Sequence, residues 1–512
     1  MRHPGLVPTV LLACVASSVS VSRATEFEVR YTPKVRPGPV SARVYVMLGP
    51  AGKPLTGKAR PDPRIGPDWF RPQPIFAVEA KGWAPGEPLR VGDDAVGFPA
   101  APSALEPGEY VAQAVVRLNP DTHKLGDGEG NAFGPVVPVT VGPGARDAGP
   151  VRLTVDTVVP PRKFEETDRI KLVEIDSPTL SAFHHRPIKL RAGVILPEGD
   201  PSSRRGTLYI IPGFGGDHHS AGQFVKDRRL GFGKDLIRVV LDPDCGTGHH
   251  VFADSAFNGP RGRSLVSELI PHIETTFRAI PEPRARLLNG HSSGGWSSLW
   301  LQVTYPDTFG GVWSTSPDPV DFRDFSGINL YARGENFFRD PAGNRRPIAR
   351  RGRRPVLFVD RFSKLEDVVG DGGQFHSFEA VFSPLDADGR PRPLYDRATG
   401  AIDLETARAW QAYDIRLVMQ RNWEALRPGL KGKVRVVVGD LDTFYLEGAV
   451  KRLKSSLDAL GSDAAVEIVP DRDHRTVIDP ALAGRFDREM NAALEKSHSP
   501  RGDDSIPPLP KE

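Results

Sequence analysis

The sequence predicts an α/β fold with a mostly parallel sheet, preceded by a smaller β-rich domain. From about residue 161 onward, short apolar runs typical of strands alternate with segments of helical periodicity. This alternation indicates a parallel sheet that is covered by helices on both faces. Before residue 160 the apolar runs are all short and strand-like, and turns rich in Pro and Gly separate them. The length of 512 residues also exceeds what one hydrophobic core usually serves, so we expect two domains.

The first domain is predicted over residues 25–160. Its strand candidates are Phe27 to Tyr31, Arg43 to Leu48, Tyr110 to Leu118, Val136 to Val141 and Val151 to Val155. Their spacing is typical of a small β-sandwich. The domain contains no cluster of acid, base and nucleophile in its sequence, so we expect the chemistry to lie elsewhere.

The second domain is predicted over residues 161–495. Its strand candidates are Ile170 to Ile175, Ile188 to Leu196, Thr207 to Ile211, Ile237 to Leu241, Ala285 to Leu288, Gly311 to Ser314, Val434 to Val438 and Ala465 to Val469. Residues 318–428 are not needed by such a sheet and exceed an ordinary connection. We therefore interpret them as an insertion that shapes a substrate cleft, with a helical part from Leu404 to Leu426.

The two ends of the chain differ from the domains. Residues 1–24 have a short basic start, an apolar stretch and small residues before Ala24, which is the layout of a secretory signal, so we expect export to the periplasm or medium. An alternative is a lipobox that would anchor the chain to a membrane through acylated Cys14. Residues 496–512 are polar and predicted to be disordered. The formal net charge of +3 argues against nucleic acid as a partner.

One pentapeptide carries the signature of a nucleophile. Gly290-His291-Ser292-Ser293-Gly294 fits G-x-S-x-G and falls between a strand and a helix, which is the context that this motif needs. Gly290 and Gly294 give the room that a sharp strand-to-helix turn requires. Ser292 is therefore the candidate nucleophile, and the backbone N–H of Ser293 is a candidate oxyanion donor at the helix start.

A serine nucleophile needs a base and an acid. His474 lies in a polar loop after the last strand, where a base is expected, and apart from His498 in the tail it is the only histidine after residue 442. Asp440 and Asp442 both follow the preceding strand. We choose Asp442, which has room to turn back toward His474, and keep Asp440 as the substitute. The order Ser, acid, His is that of α/β-hydrolases.

The second oxyanion donor is expected in the loop after an early strand. Pro212-Gly213-Phe214-Gly215-Gly216 lies there, and its glycines let the backbone approach a substrate. We choose the Phe214 N–H as the donor and Gly213 as a supporting residue. No metal or organic cofactor is expected, because His218-His219 and His249-His250 have no Cys or carboxylate cluster to complete a metal site.

The motifs together resemble the putative-esterase family, which includes esterase D, enterochelin esterases and mycolyltransferases. The resemblance rests on four stretches: Gly290 to Gly295, Tyr305 to Gly311 with Ser316-Pro317, Gly439 to Phe444, and His474. It implies an α/β-hydrolase fold over about Ile170 to Leu494 and, as in some relatives, an Ig-like N-terminal domain. Asp442-Thr443-Phe444 is similar to the Asp-x-Phe around the acid of S-formylglutathione hydrolases, which favours Asp442.

The sequence thus predicts a serine esterase acting on a small-molecule or carbohydrate-linked ester. Two alternatives stay open. The same three residues perform acyl transfer to an alcohol if the cleft excludes water, and the fold could instead support a binding protein without catalysis.

Six arginines between Arg345 and Arg354 form a dense basic run. Most such runs are solvated loops, and the minority interpretation is capture of an anionic substrate or membrane surface.

Overall fold

The structure is a computed structural model that describes residues 26–51, 62–142, 149–199 and 203–495. The predicted leader at 1–24 with Cys14, and the predicted tail at 496–512, lie outside the described residues. Within the described residues, no helix combines the length and the apolar character that crossing a bilayer requires.

In the described residues, the N-terminal part contains ten strands in two sheets. A three-stranded sheet has the order β4-β1-β9, and a seven-stranded sheet has the order β10-β7-β6-β2-β3-β5, with β8 paired to β6. One buried apolar cluster includes residues of both sheets, such as Phe27 and Val46. The strands are β1 (Phe27–Tyr31), β2 (Val40–Pro50), β3 (Ile75–Trp83), β4 (Leu89–Val91), β5 (Val96–Phe98), β6 (Gly108–Arg117), β7 (Ala132–Phe133), β8 (Val137–Val141), β9 (Val151–Val155) and β10 (Thr157–Val158).

The second part has an α/β-hydrolase-like fold around an eight-stranded sheet. The sheet has the order β11-β12-β14-β13-β19-β20-β23-β24, and its strands are parallel except at the β11–β12 and β12–β14 pairs. Its strands are β11 (Ile170–Asp176), β12 (Lys189–Ile195), β13 (Thr207–Ile211), β14 (Ile237–Leu241), β19 (Arg286–His291), β20 (Gly311–Thr315), β23 (Val434–Gly439) and β24 (Ala465–Val469). Short hairpins use β15 (Asp244–Cys245) with β16 (Gly248–His249), β17 (Asp254–Ser255) with β18 (Gly259–Pro260), and β21 (Pro347–Arg351) with β22 (Arg354–Phe358).

Helices cover both faces of this sheet. They are α1 (Pro178–His184), α2 (Ala221–Lys226), α3 (Arg261–Ser264), α4 (Ile270–Thr276), α5 (Ser293–Thr304), α6 (Val359–Val369), α7 (Gln374–Phe382), α8 (Leu404–Ala409), α9 (Ile415–Arg421), α10 (Trp423–Leu430), α11 (Glu447–Ala459) and α12 (Pro480–Glu495). Alternate residues of β13 point to opposite faces, as the period of a strand requires. Tyr209 packs in the cluster that includes α5 and α11, whereas Leu208 packs in the cluster that includes α12.

The stretch between β20 and β23 holds the β21–β22 hairpin and helices α6 to α10. The helical part predicted from Leu404 to Leu426 contains α8, α9 and the first residues of α10. Asp414 caps the start of α9, because its side chain accepts the backbone N–H of Leu417. Trp410 and Trp423 are buried in the main core cluster, so these aromatics attach the stretch to the fold.

The N-terminal part packs against this stretch. Tyr45 and Met47, on the second face of the seven-stranded sheet, share a buried cluster with Leu365 and Val368 of α6. The Tyr45 hydroxyl also donates to the backbone oxygen of Val369 at 2.6 Å. Because the burial of each large apolar side chain contributes about 1.5–3 kcal/mol, this contact holds the N-terminal part beside α6.

Candidate active site

Ser292 lies at a strained turn between β19 and α5. Its backbone has φ 60° and ψ −125°, a conformation that costs a residue other than Gly about 1–3 kcal/mol. A Cβ on Gly290 would lie 1.9 Å from the carbonyl oxygen of Gly294, and one on Gly294 would lie 1.9 Å from that of Ile211. Both positions therefore require glycine, and the turn presents Ser292 at the carboxyl edge of the sheet.

His474 and Asp442 meet at the same edge. His474 Nδ1 lies 2.8 Å from Asp442 Oδ2. The Asp442 side chain is fully buried, and its other oxygen accepts the Phe444 backbone N–H at 2.9 Å. A carboxylate at Nδ1 selects the tautomer with its proton on Nδ1. The lone pair of Nε2 is then available to accept a proton.

The electrostatics of this pair favour an ionised Asp442. Burial raises the pKa of the Asp442 carboxyl, but the attraction of His474 and the hydrogen bonds outweigh burial and hold it below its usual range. Burial likewise lowers the pKa of His474, and the charge and hydrogen bond of Asp442 outweigh it, so this pKa lies above its usual value. Burial, followed by the nearby His474, lowers the pKa of His291 to about 3. His291 is therefore neutral beside the base.

Asp440 has a different partner. Its Oδ1 accepts the backbone N–H of Asp471 at 2.7 Å, which ties the end of β23 to the loop before His474. The structure thus brings Asp442 to the imidazole and uses Asp440 to hold the histidine loop.

The loop after β13 lies directly beside Ser292. A Cβ on Gly213 would lie 3.2 Å from the Ser292 Cβ, so glycine lets the two backbones approach. Among the described residues, neither the Phe214 N–H nor the Ser293 N–H has a hydrogen-bond acceptor. Two free donors next to a nucleophile are what an oxyanion requires.

His249 fixes this loop. Its Nε2 donates to the backbone oxygen of Pro212 at 2.9 Å, and its Nδ1 accepts the Val251 N–H at 3.1 Å. Burial lowers the pKa of His249 to about 4, so the ring is neutral and both contacts persist at pH 7. This histidine, adjacent to His250 in the sequence, supports the Phe214 loop rather than a metal. No group of three or more potential metal ligands occurs in the described part of the chain.

Asp318 is a carboxyl group that the sequence analysis missed. Ser293 Oγ donates to its Oδ2 at 2.5 Å, and its backbone N–H donates to the Ser292 oxygen at 3.2 Å. The nearby Ser292 hydroxyl is one of the groups that lower the pKa of this carboxyl. In the described ranges, His474 Nε2 has no hydrogen-bond partner.

A simple rule could have found Asp318. It follows Ser316-Pro317 at the carboxyl end of β20, the strand beside β19, and polar residues at adjacent strand ends share one sheet edge. Burial raises its pKa to about 6, against the opposing effects of the Ser293 hydroxyl and His474.

We expect Asp318→Asn to change how stability depends on pH. The folded state holds the Asp318 proton more tightly than the unfolded state, so the contribution of this group is favourable at low pH and is lost as the pH rises toward 6. Asn does not ionise. The free energy of unfolding of the variant relative to wild type should therefore increase by about 2 kcal/mol between pH 4 and pH 8. Urea denaturation at both pH values measures it.

Asp388→Asn, at an exposed turn, reports the effect of removing one surface charge at each pH. A constant stability difference between Asp318→Asn and wild type from pH 4 to pH 8 would show that Asp318 is not buried as described.

Arg350 of β21 holds the loop that carries the acid. Its Nε donates to the Asp442 backbone oxygen at 2.9 Å, and its Nη2 donates to the Asp440 oxygen at 3.2 Å. It also pairs with Glu447 at 2.7 Å, and both side chains are only 12% exposed. Its guanidinium lies over the Tyr445 ring at 4.5 Å. One arginine of the basic run therefore positions Asp442 from the stretch between β20 and β23.

Other members of the run are also paired. Arg345 contacts Asp360 at 2.6 Å, and Arg346 pairs with Glu335. Arg351, Arg353 and Arg354 are exposed at the hairpin turn. These contacts favour a structural use of the run over capture of an anion.

Arg350→Met should lower the free energy of unfolding by about 3 kcal/mol, because Glu447 is left partly buried without its cation. The turnover number should also fall, since the acid loop loses two backbone anchors. Urea denaturation and ester hydrolysis measure the two effects. Arg353→Met is the matched control in the same hairpin, and equal stability of the two variants would contradict this role of Arg350.

The chain is similar in sequence to known esterases over part of its length. Residues 257–474 match the sequence model of a family described as Putative esterase. The chain is 33% identical over 138 residues to Esterase MT1326 of Mycobacterium tuberculosis (strain CDC 1551 / Oshkosh), and equally to Esterase Rv1288 of strain ATCC 25618 / H37Rv. Each match covers 26% of this chain and 30% of the relative, so the chain spans under a third of the length of these curated relatives.

Solved structures overlap a larger share of the chain at lower identity. The match to a ferulic acid esterase spans 63% of this chain and 98% of the esterase chain, with 16% sequence identity and a TM-score of 0.39. The match to an S-formylglutathione hydrolase from Agrobacterium tumefaciens spans 64% of this chain and 94% of the hydrolase chain, with 14% sequence identity and a TM-score of 0.37. Residues 257–474, which contain Ser292, Asp442 and His474, are the part of the chain whose sequence is similar to the putative esterase family.

Proposed function

We propose that this protein is a serine hydrolase that cleaves a carboxylic ester through an acyl-enzyme. Ser292 is the nucleophile, His474 the general base and Asp442 the acid that orients it. The observation that carries the proposal is the 2.8 Å contact between His474 and the buried Asp442, at the sheet edge that presents Ser292. The family match over residues 257–474 supports the same reaction class.

The reaction runs in two acyl-transfer steps. His474 Nε2 takes the Ser292 hydroxyl proton while Oγ bonds to the ester carbonyl carbon. The resulting oxyanion accepts hydrogen bonds from the Phe214 and Ser293 N–H groups. The imidazolium then gives its proton to the leaving alcohol oxygen as the carbon–oxygen bond breaks. Water attacks the acyl-enzyme, loses a proton to His474, and the acid leaves as Ser292 regains its proton.

Substrate binding completes the site in this mechanism. His474 Nε2 has no hydrogen-bond partner among the described residues, and in this proposal rotation about the Ser292 Cα–Cβ bond brings the hydroxyl toward it. Such contacts are often long in the free enzyme and tighten when substrate binds. Asp442 supplies no proton, because its role is to stabilise the imidazolium.

The proposed substrate is a small-molecule or carbohydrate-linked ester. Acyl transfer to an alcohol uses the same residues, and product analysis separates the two reactions. We expect p-nitrophenyl acetate to yield acetate, and an added acceptor alcohol to leave this product unchanged. Formation of the acceptor's ester instead would favour the transferase, and absence of any turnover of acetyl, feruloyl and longer acyl esters would contradict the proposal.

We further propose that the N-terminal part is an Ig-like β-sandwich and that the chain is exported, with Cys14 lipidation as the alternative to release. The shared cluster between two sheets supports the first proposal, and the leader pattern supports the second. Mass spectrometry of the mature N-terminus distinguishes cleavage after Ala24 from an acylated Cys14.

A further inference from the structure

The N-terminal part brings an aromatic side chain to the rim of the catalytic site. Trp69 lies in the connection between β2 and β3. Its ring centroid is 5.5 Å from that of Phe214, 6.4 Å from that of Phe444 and 5.0 Å from that of Phe362 in α6. Trp69 therefore lies between the loop that offers the oxyanion donor and the loop that carries the acid.

The ring contacts of Trp69 extend through Phe444 to His474, the proposed base. The Phe444 ring packs edge-on against the His474 ring with centroids 5.0 Å apart. Phe70, next to Trp69, lies 6.3 Å from Phe444 and is 38% exposed. Trp69, Phe214 and Phe444 are each half-buried. These four residues form what we call the aromatic wall (Trp69, Phe70, Phe214 and Phe444), which contacts His474 through Phe444.

A cavity of about 250 Å³ lies beside Trp69 and Phe214. Leu365 and Val369 line it on the apolar side, and charged or polar side chains line the rest: His123, Lys124, Asp127 and Glu366. Pockets for drug-sized ligands begin at about 300 Å³, so this space suits a single ring or a short branched chain. Aromatic side chains gain free energy by stacking on a flat apolar group in addition to burying its surface.

The Trp69 segment is held in place by the N-terminal part. The Arg64 backbone N–H donates to Gln113 Oε1 at 3.0 Å, and the Arg64 guanidinium lies over the Phe133 ring at 4.0 Å. Asp68 Oδ1 accepts the N–H groups of Phe70 and Arg71 at 2.8 and 2.9 Å. The position of Trp69 is therefore set by residues of β6 and β7, outside the α/β part.

We propose that Trp69 is a specificity-determining residue, through which the N-terminal part selects esters that carry a ring-sized apolar group next to the scissile bond. This inference rests on the proposed function. It assigns to the N-terminal part a direct contact with substrate.

The test compares kcat/KM of the full chain for three esters: methyl acetate, methyl phenylacetate and phenyl acetate. Methyl phenylacetate carries the ring on its acyl side, and phenyl acetate carries it on its alcohol side. The hydrolysis of all three esters is followed by pH-stat titration. Wild type should prefer at least one aryl ester. Trp69→Ala should lower kcat/KM for that ester by about tenfold to a hundredfold, with methyl acetate changed less than about threefold.

Two further variants sharpen the result. Trp69→Phe keeps a ring and should retain most of the aryl preference. Phe183→Ala removes a 41% exposed aromatic of α1 and should leave the preference unchanged. An unchanged preference in Trp69→Ala would overturn the proposal. An equal loss for all three esters would also overturn it, since Trp69 would then position Phe214 rather than contact substrate.

If the proposed function itself is wrong, the kinetic result differs from a failure of the specificity proposal. In that case wild type would turn over none of the three esters, and the specificity proposal would fall with it. If wild type hydrolyses them and Ser292→Ala does not, the proposed function stands and the Trp69 variants alone decide the inference.

Discussion

Ser292→Ala is expected to reduce kcat for a short activated ester by about 10⁶-fold, as loss of the nucleophile does where the triad acts as a unit. In the proposed mechanism the Ser292 hydroxyl oxygen becomes acylated, and no neighbouring group replaces it at the turn. Ser293, the adjacent hydroxyl, donates to Asp318 at 2.5 Å and belongs to the first turn of α5. Initial rates at saturating p-nitrophenyl acetate measure the loss.

The fold should survive this substitution. The strained φ of 60° at Ser292 is held by Gly290 and Gly294 rather than by the side chain, so Ala should adopt it. Far-UV circular dichroism and the thermal midpoint serve as controls. Retained turnover in a folded Ser292→Ala protein would remove this residue from the mechanism.

Asp442→Asn is expected to cost about 10⁴-fold in kcat, because an amide favours the wrong imidazole tautomer and does not stabilise the imidazolium. A second readout is the pH profile of kcat/KM. The base must be neutral, so activity in wild type should rise with pH through a pKa above 6.5, the direction that Asp442 imposes on His474. In the variant this limb should move to lower pH.

Asp440→Asn is the matched control, since the two carboxylates lie two residues apart. Asp440 accepts the Asp471 N–H and has no contact with the imidazole among the described residues. We expect a small effect on kcat and no displacement of the pH limb. The reverse ranking of the two variants would transfer the role of the acid to Asp440.

The elements of the sheet and the turn at Ser292 were predictable because their signals are local. Strand periodicity located β13, β14 and β24 with the bounds seen in the structure. The turn requires glycines two residues either side of the serine, so the pentapeptide itself encodes its geometry. His474 and Asp442 were predicted from their order along the chain, and the structure brings these two side chains together.

Other parts of the site depend on contacts between distant segments. Arg350 reaches the acid loop from a hairpin about ninety residues earlier, and in the sequence it is one arginine among six. Trp69 reaches Phe444 across most of the chain, and nothing in its local sequence indicates that contact. Asp318 acquires its raised pKa from burial, which is a property of the folded state. No local pattern encodes the contacts of Arg350 and Trp69 or the raised pKa of Asp318, although the position of Asp318 at the end of β20 is visible in the sequence.

The most direct measurement is covalent labelling by a fluorophosphonate, followed by peptide mass spectrometry. We predict one adduct per chain on the peptide that contains Ser292, with labelling abolished by Ser292→Ala and slowed in Asp442→Asn. An unlabelled wild-type protein that still hydrolyses esters, or an adduct on another residue that survives Ser292→Ala, would contradict the assignment of Ser292, His474 and Asp442 to catalysis.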